Sequence, residues 1–195
     1  YSPYVVYDFN GDGKAEIAVK TSIETSRNQN GRITSGPEYV SIWDGMTGKE
    51  IAKECWPDRS PRFGDYNRIN RNQIGIAFLD GKTPCLLVAR GTYKLMVLDA
   101  YQFTNNKLEK LWHWDGDEEN PVIRHQGAHG MHCADVDNDG RDEVILGSVV
   151  IDDDGTALWS TGYGHPDKCF VSDIDPNHPG MEIFYALEDW HDDGN

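Results

Sequence analysis

Two acidic loops carry the clearest chemical pattern in the sequence. In each loop, side chains with oxygen ligands stand at alternate positions, a glutamate closes the loop, and an apolar run follows. These side chains are Asp8, Asn10, Asp12 and Glu16 in the first loop and Asp135, Asp137, Asp139 and Glu143 in the second. Calcium takes about six to eight oxygen ligands, and a tight loop gathers them from carboxylates, amides and backbone carbonyls. We predict a calcium ion in both loops, with the carbonyl groups of Lys14 and Arg141 as further ligands.

These loops differ from the EF-hand, in which the closing glutamate comes later and helices flank the loop. Here a strand pattern follows the closing glutamate. A third copy over 173–182 carries Asp173, Asp175 and Glu182, with two prolines that disturb the spacing. We predict calcium there too. The alternative for all three loops is an acidic turn whose side chains only cap backbone N–H groups.

Histidine and carboxylate side chains form a second pattern. His129, His165 and Glu188 each lie just before or after a strand of the repeat described below, so consecutive repeats can bring them to one place. By ligand softness, imidazole mixed with carboxylate suits zinc or manganese better than calcium. The alternative is a set of separate loop histidines that hydrogen-bond to the backbone. From the residues alone, both interpretations stay open.

Two short tracts, 67–72 and 89–94, are locally basic in a chain with 33 acidic and 18 basic residues. Arginine binds carboxylates through two parallel hydrogen bonds, so these tracts are suited to an anionic substrate. The alternative is charge balance beside the acidic loops. The candidate substrate-binding residues are Arg71, Arg90, Tyr93 and Lys94.

A repeated unit must position these residues. The pattern of a loop followed by a strand starts at Asp8, Asp80, Asp135 and Asp173. Segments such as 40–51, 96–112 and 149–159 supply a second half, in which a turn separates two apolar runs and predicts a hairpin. About four strands per repeat is typical of a propeller blade, and no helix-length period is found. We therefore predict an all-β fold, with about three to four blades of a β-propeller.

Two polar segments, 22–38 and 115–132, interrupt the repeat and are predicted as surface loops. Three to four blades cannot close a ring without leaving strand edges unpaired. We therefore expect one partial β-propeller domain over 1–195, which belongs to a larger propeller or pairs with a missing part. The chain opens on Tyr1 shortly before a strand pattern, so we expect a mature or truncated start.

Composition excludes several classes of protein. A formal charge of −15 argues against nucleic-acid binding, which needs a basic surface. No run of about 18 apolar residues predicts a membrane-spanning helix. For the cysteines we favour buried free thiols, with one disulfide as the alternative. Cys55 is predicted in a polar loop, and the other three at strand edges: Cys85, Cys133 and Cys169.

Taken together, these motifs resemble the rhamnogalacturonan lyases of polysaccharide lyase family 11. The matching tracts run in order along nearly the whole chain: YDFNGDGKAEIAVKT (7–21), GDYNRINR (64–71), ARGTYK (89–94), QGAHGMHCADVDNDGRDEVILGSVVIDDDG (126–155) and STGYGHPDKCFVSDIDPNHPGMEIFYALED (160–189). The second and third tracts depart from the family's usual forms, and the last two are long and specific. The resemblance implies a secreted, calcium-dependent, eight-bladed β-propeller.

The resemblance also implies a site. The family holds an active-cleft calcium with two histidines, an aspartate and a glutamate, and the matching positions are His129, His165, Asp167 and Glu188. The expected metal at this cluster thereby becomes calcium.

The implied reaction is β-elimination at the bond between rhamnose and galacturonate in rhamnogalacturonan I, assisted by calcium on the uronate carboxylate. The Arg, Lys and Tyr positions that the family uses later in its chain for substrate binding and catalysis have no counterpart here. The general base stays unknown, with Lys94 and Arg71 as the candidates.

Two other functions are compatible with the sequence. One is a non-catalytic calcium-binding propeller module for adhesion, of the FG-GAP type, whose repeats predict calcium loops but no matched histidines. The other is a carbohydrate-binding module in which tryptophan and tyrosine stack on sugars. For the lyase we expect a polysaccharide substrate, no nucleic acid or membrane partner, a monomer or part of a larger chain, and an extracellular or periplasmic location.

Overall fold

A computed structural model describes residues 2–23 and 25–188. Tyr1, Glu24 and the segment 189–195, which belong to the domain predicted over 1–195, lie outside the described residues. Antiparallel strands dominate the structure, and the described part holds one short α-helix and one short 3-10 helix. The all-β prediction is therefore confirmed. No helix in this part of the chain has the length and apolar character needed to cross a membrane.

The first sheet has four antiparallel strands. The chain begins with β1 (Tyr4–Tyr7), β2 (Glu16–Ser22), β3 (Ser26–Arg27), β4 (Ile33–Ser35), β5 (Glu38–Asp44) and β6 (Glu50–Cys55). The sheet order is β1-β2-β5-β6, while β3 and β4 pair only with each other. The segment 22–38, predicted as a loop, thus contains a small hairpin. The predicted loop position of Cys55 is wrong, because this residue ends β6 and pairs with Tyr39.

The second sheet is a simple antiparallel meander. A 3-10 helix (Pro61–Phe63) and α1 (Tyr66–Ile69) lead into β7 (Asn72–Ala77), β8 (Cys85–Thr92), β9 (Leu95–Thr104) and β10 (Lys107–Asp115), in the order β10-β9-β8-β7. At the turn between β9 and β10, Asn105 and Asn106 have φ values of 53° and 58°. A two-residue hairpin turn of this kind requires positive φ at both positions, which asparagine tolerates.

The third sheet repeats this arrangement. It consists of β11 (Met131–Ala134), β12 (Glu143–Leu146), β13 (Val149–Ile151) and β14 (Ala157–Ser160), and β15 (Pro166–Ser172) and β16 (Glu182–Leu187) form a two-stranded sheet beyond it. The hairpins predicted over 40–51, 96–112 and 149–159 are confirmed as β5–β6, β9–β10 and β13–β14.

The sheets pack on one another through alternate residues of each strand, as the two-residue period of a β-strand requires. In β8, Leu86 and Val88 pack in the core shared with the first sheet, while Leu87 and Ala89 pack in the core shared with the third. In β12, Ile145 packs with residues of β15 and β16. The middle sheets are therefore covered on both faces. This explains why β8 is buried along its whole length.

All four cysteines are free, which confirms the preferred prediction of thiols. Cys85 and Cys169 are buried and Cys133 is half-buried. Cys55 is exposed, so the expectation of burial is wrong for this one residue.

Candidate functional site

Two side chains of the predicted histidine–carboxylate cluster meet at one end of the β15–β16 pair. His165 directly precedes β15 and Glu188 directly follows β16, so the pairing of Pro166 with Leu187 places them side by side. The backbone N–H of Glu188 also donates to the carbonyl of His165 at 3.2 Å. A register shift between Pro166 and Lys168 leaves Asp167 outside the regular pairing. Irregularities of this kind redirect a side chain, and here the carboxylate faces His165.

The other histidine comes from the neighbouring sheet. His129 lies in the loop just before β11, and its ring centroid is 4.6 Å from that of His165. Tyr93, at the turn between β8 and β9, stacks on His165 with ring centroids 3.9 Å apart. Four segments that are distant in sequence therefore meet, around residues 93, 129, 165 and 188, and the structure brings together all four residues that the resemblance implied.

The orientation of His165 is fixed by its own hydrogen bond. Nδ1 bonds to the carbonyl of Gly127, and because a carbonyl only accepts, Nδ1 is the donor. In the neutral ring the lone pair is then on Nε2, which lies 3.5 Å from Oε2 of Glu188 and 3.8 Å from Oδ1 of Asp167. The side chain of His165 is only 2% exposed, while that of Asp167 is 55% exposed. The cluster is closed on its imidazole side and open on its carboxylate side.

His129 is held in the form that binds a cation. Burial, followed by the charges of Arg71 and His165, lowers the pKa of His129 to about 4. The ring is therefore neutral at pH 7. Its Nδ1 is buried and has no hydrogen-bond partner among the described residues.

The cluster residues pass a test of fit to a cation. His129, His165 and Asp167 each offer a ligand atom within 4.8 Å of the others. When both imidazoles are neutral, as metal ligation requires, they form with the two carboxylates a donor set that has a net negative charge. The carboxylates of Glu188 and Asp167, 3.5 and 3.8 Å from Nε2 of His165, attract a positive ion to this position.

Buried polar side chains that the sequence analysis missed hold the loops before β11 and β15. The carbonyl of Ala128 accepts from Nε2 of Gln73 at 3.1 Å and from Oγ1 of Thr92 at 3.0 Å. The side-chain carbonyl of Gln126 accepts from the backbone N–H of Gly164 at 3.2 Å, and Ser148 Oγ donates to the carbonyl of Gly164 at 2.8 Å. The available signal was a polar residue at the end of an apolar strand. That signal does not say which loop the residue supports.

The second acidic loop also fits a cation. Asp135, Asp137 and Glu143 offer ligand atoms within 4.8 Å of one another. Glu143 is buried, one of its oxygens accepts from the backbone N–H of Val136 at 2.6 Å, and Oε1 has no partner among the described residues. Burial and the nearby aspartates raise the pKa of Glu143 to about 7. Asp139 lies in the same loop and accepts from the N–H of Arg141 at 2.8 Å.

The first acidic loop has nearly the same backbone framework. Asp8 accepts N–H bonds from Gly11, Asp12 and Gly13, much as Asp135 does from Asp139 and Gly140. The equivalent residues Gly13 and Gly140 have φ values of 83° and 93°, which favour glycine.

The first loop differs in its interior. Asn10 stands where the second loop has Asp137, and its Nδ2 donates to Oε1 of Glu16 at 3.1 Å. The glutamate is thereby satisfied without an ion. Asp12 accepts from the N–H of Lys14 at 2.9 Å, so Lys14 lies in the loop as Arg141 does in the second.

The third loop is less complete. Glu182 accepts from the N–H groups of Ile174 and Asp175 at 2.8 and 3.1 Å, which repeats the role of Glu16 and Glu143. Asp175 is engaged by Nδ1 of His178 at 2.6 Å, a contact the sequence analysis did not anticipate. Asp173 is exposed, and Asp173, Asp175 and Glu182 do not reach the 4.8 Å convergence found in the second loop.

Three of the four residues predicted to bind substrate lie near the histidine cluster or beside its support. Arg71 and His129 line one cavity of about 320 Å³, and Tyr93 stacks on His165. Lys94 lies near His125, where its charge, after burial, lowers the pKa of that imidazole. The structure thus places Arg71 and Tyr93 at the cluster.

Arg90 does not agree with the prediction of a substrate contact. Its side chain is 0% exposed, and its guanidinium bonds to Glu38 and to the carbonyls of Pro57 and Ile69. Lys20 also contacts Glu38, at 2.5 Å. The tract 89–94 looked like a basic surface in sequence, but most of it is the buried end of β8. Arg90 instead ties the first sheet to the segment before β7.

Comparison with known proteins decides the family. The model of the C-terminal domain of rhamnogalacturonan lyase family 11 matches residues 1–195. The chain belongs to this family. Among curated relatives of this lyase family, the rhamnogalacturonan endolyase YesW and the rhamnogalacturonan exolyase YesX of Bacillus subtilis (strain 168) are each 41% identical over 209 aligned residues.

Solved structures of family 11 lyases have the same fold. The chain superposes on exotype rhamnogalacturonan lyase YesX with a TM-score of 0.91 at 42% identity, covering 97% of this chain and 35% of that one. It superposes on the Bacillus licheniformis rhamnogalacturonan lyase PL11 with a TM-score of 0.90 at 44% identity, covering 95% and 35%. The alignments with YesW and YesX cover 97% of this chain but 34% of each relative. The chain therefore spans about a third of the length of these relatives.

Proposed function

We propose that this chain belongs to a pectin-degrading lyase that cleaves the rhamnose–galacturonate backbone of rhamnogalacturonan I by β-elimination. The observation that carries the proposal is the convergence of His129, His165, Asp167 and Glu188, because neither the sheets nor the acidic loops need these four side chains together. Family membership and relatives named as rhamnogalacturonan lyases support the reaction class.

Calcium is the ion we propose for the cluster. The carboxylate side of the site is open, so water and substrate oxygens have room to join the protein ligands. Calcium takes about six to eight ligands, whereas zinc sites in proteins are usually complete at about four. When bound, calcium would withdraw charge from the uronate carboxylate and stabilise the negative charge that develops as the C5 proton leaves.

The protein's own residues orient and charge this site. The hydrogen bond from His165 to Gly127 fixes which nitrogen faces the carboxylates, as outer-shell partners of metal ligands generally do. The low pKa of His129 keeps that ring neutral. Arg71, on the same cavity as His129, supplies positive charge for the uronate. Because arginine stays protonated, we propose that it binds substrate and leave Lys94 as the candidate base.

We also propose that the sheets are blades of a β-propeller. Three four-stranded antiparallel sheets follow one another with shared cores between them. Their first strands lie side by side, since β7 contacts both β1 and β11, and β11 contacts β15. First strands that lie side by side support this proposal, because a propeller repeats four-stranded sheets around a central axis. On this proposal, the described part of the chain forms three blades and part of a fourth, in the eight-bladed ring that the family resemblance implies.

The acidic loops are proposed to bind calcium structurally. In the 135–143 loop, two observations support an ion: Oε1 of Glu143 has no partner among the described residues, and burial with the nearby aspartates raises the pKa of this carboxyl. The loops over 8–16 and 173–182 are proposed as weaker sites of the same type. For a protein that acts on a pectin polymer, we propose a secreted location.

Ultraviolet absorbance of unsaturated uronate tests the reaction. The chain is incubated with rhamnogalacturonan I, first with calcium and then with EDTA, and calcium-dependent absorbance is expected. Glu188→Gln should abolish the signal, while Glu109→Gln, the same change at an exposed position of β10, should leave it intact. A flat trace from folded, calcium-loaded protein would contradict catalysis by this chain. It would favour the non-catalytic calcium-binding module.

A further inference from the structure

A groove runs along the segment between β6 and β7. Three cavities of about 470, 590 and 500 Å³ adjoin there, because Asp58 lines both the first and the second, and Tyr66 lines both the second and the third. We call the three together the outer groove. Its walls come from the β3–β4 hairpin, the 3-10 helix, α1, and strands β9 and β10. A row of adjoining cavities of this kind suits successive units of a polymer better than one compact ligand.

The outer groove is separate from the histidine cluster, and α1 lies between the two. Arg68, on α1, lies over the ring of Tyr93 at 5.3 Å, and Tyr93 stacks on His165. The third cavity is lined by residues of the same helix, Tyr66 and Asn67. One extended chain that occupied the cluster could therefore continue past α1 into the outer groove.

Arginine and lysine side chains of the first and second cavities already have acidic partners. Arg62 forms a two-pronged pair with Asp115 at 2.9 and 2.7 Å, and Lys110 lies 2.9 Å from the buried Asp99. Arg59 contacts Glu38 at 3.1 Å. A carboxylate ligand in these two cavities would have to displace the acidic partners, while in the third cavity Arg32 lies over the ring of Tyr66. A hydroxyl group, which both donates and accepts, can add to the existing pairs without breaking them.

Apolar and aromatic side chains complete the groove. Phe63, Val97 and Trp56 close the floor of the first cavity, each at most 2% exposed. Tyr66, which is 37% exposed, lines the next two, with the guanidinium of Arg32 4.9 Å from its ring. Ligand sites commonly combine apolar walls with a few polar groups that fix orientation, and the two faces of a sugar ring offer C–H groups with hydroxyls at their edge.

We propose that the outer groove is a secondary polysaccharide-binding site that holds sugar residues through their hydroxyl groups and ring faces, apart from the cation site. The choice of a polysaccharide as the ligand rests on the proposed function. Binding in the groove lengthens the stretch of polysaccharide that the protein holds during cleavage.

The test measures oligosaccharide binding by calorimetry in EDTA, which removes any calcium-dependent contribution. The probes are a rhamnogalacturonan I oligosaccharide and a neutral galacto-oligosaccharide. Tyr66→Ala removes the aromatic wall, and Ser35→Trp fills the second cavity from the exposed end of β4. Both variants should weaken binding of both probes about three- to tenfold. Trp159→Ala, a change at an aromatic residue of similar exposure on β14, should leave binding unchanged.

The outcomes separate this inference from the proposed function. Equal binding by wild type, Tyr66→Ala and Ser35→Trp would overturn the groove. Binding of the uronate-containing probe alone would overturn the assignment to sugar hydroxyls. Groove binding that persists in EDTA and in His129→Ala supports the inference even if no calcium-dependent cleavage is found, and in that case only the lyase proposal fails.

Discussion

The histidine cluster and the 135–143 loop offer similar ligand atoms but are assembled in different ways. The loop closes on itself, because Asp135 and Glu143 accept backbone N–H groups that are at most seven residues away. The cluster draws on segments around 93, 129, 165 and 188, which only the packing of adjacent sheets brings together. A local site can form with its own hairpin, whereas the cluster depends on the whole stack.

This difference has a functional meaning. A site that forms within one loop is suited to stabilising that loop, and three such loops recur along the chain. A site at the junction of sheets lies where a polymer can reach it. The predictions below either separate the two kinds of site or show that the separation is wrong.

The largest effect is expected from the scaffold. Arg90→Met removes a buried guanidinium that bonds to Glu38, Pro57 and Ile69, and should lower the free energy of unfolding by about 3–5 kcal/mol. Arg141→Met breaks an exposed pair with Asp153 and should cost less than about 1 kcal/mol. Urea denaturation measures both variants. Equal losses of unfolding free energy in the two variants would show that the buried bonds of Arg90 do not hold the sheets together.

Acid should weaken the same scaffold. Burial alone would raise the pKa of Glu38, but Arg90, together with Lys20 and Arg59, outweighs it and lowers the pKa to about 2. A carboxylate with a depressed pKa stabilises the fold above its ordinary pKa, and this contribution is lost as the pH falls through the folded value. Stability should therefore drop by about 3 kcal/mol between pH 4.5 and pH 2. Thermal melts across this range measure the effect. The melting temperature should depend less steeply on pH in Glu38→Gln than in wild type, and an equally steep dependence would contradict the account.

A smaller effect is expected where a support of the cluster is removed without touching its ligands. Thr92→Val keeps the shape of the side chain but loses the bond to the carbonyl of Ala128. Calcium affinity at the cluster should fall about tenfold, as for other outer-shell changes. The 135–143 loop should be unaffected. Calorimetric titration checks this, and parallel losses at both sites would remove the distinction between assembled and local sites.

The smallest effect is expected between the two similar loops. Asn10→Asp removes the amide that satisfies Glu16, and Asp137→Asn supplies one beside Glu143. Calcium should then raise the melting temperature more in Asn10→Asp and less in Asp137→Asn than in wild type, by a few degrees for about 1 kcal/mol. Scanning calorimetry with calcium and with EDTA measures this. A smaller calcium-induced rise in Asn10→Asp and a larger one in Asp137→Asn would show that the residue at this position does not determine how strongly the loop depends on an ion.

The distinction between local and assembled sites also separates the features that the sequence predicts from those that it does not. The hairpins and acidic loops are predictable because their signals, such as the asparagines at 105 and 106 or the spacing from Asp135 to Glu143, are local. The burial of Arg90 is not predictable, because a basic residue near the end of a strand looks the same whether its neighbours are solvent or Glu38.

The cluster lies between these cases. Family resemblance implied its four ligands, while the residues alone left separate loop histidines as an alternative. The supports from Gln73 and Thr92 follow only from the packing of sheets.

The most direct test of the central claim counts calcium ions. Wild type and His129→Ala/His165→Ala are titrated with calcium by calorimetry, with circular dichroism to confirm that both are folded. The double variant should lose one binding site and keep those of the acidic loops. An unchanged number of sites and unchanged affinities would show that the histidine cluster does not bind calcium.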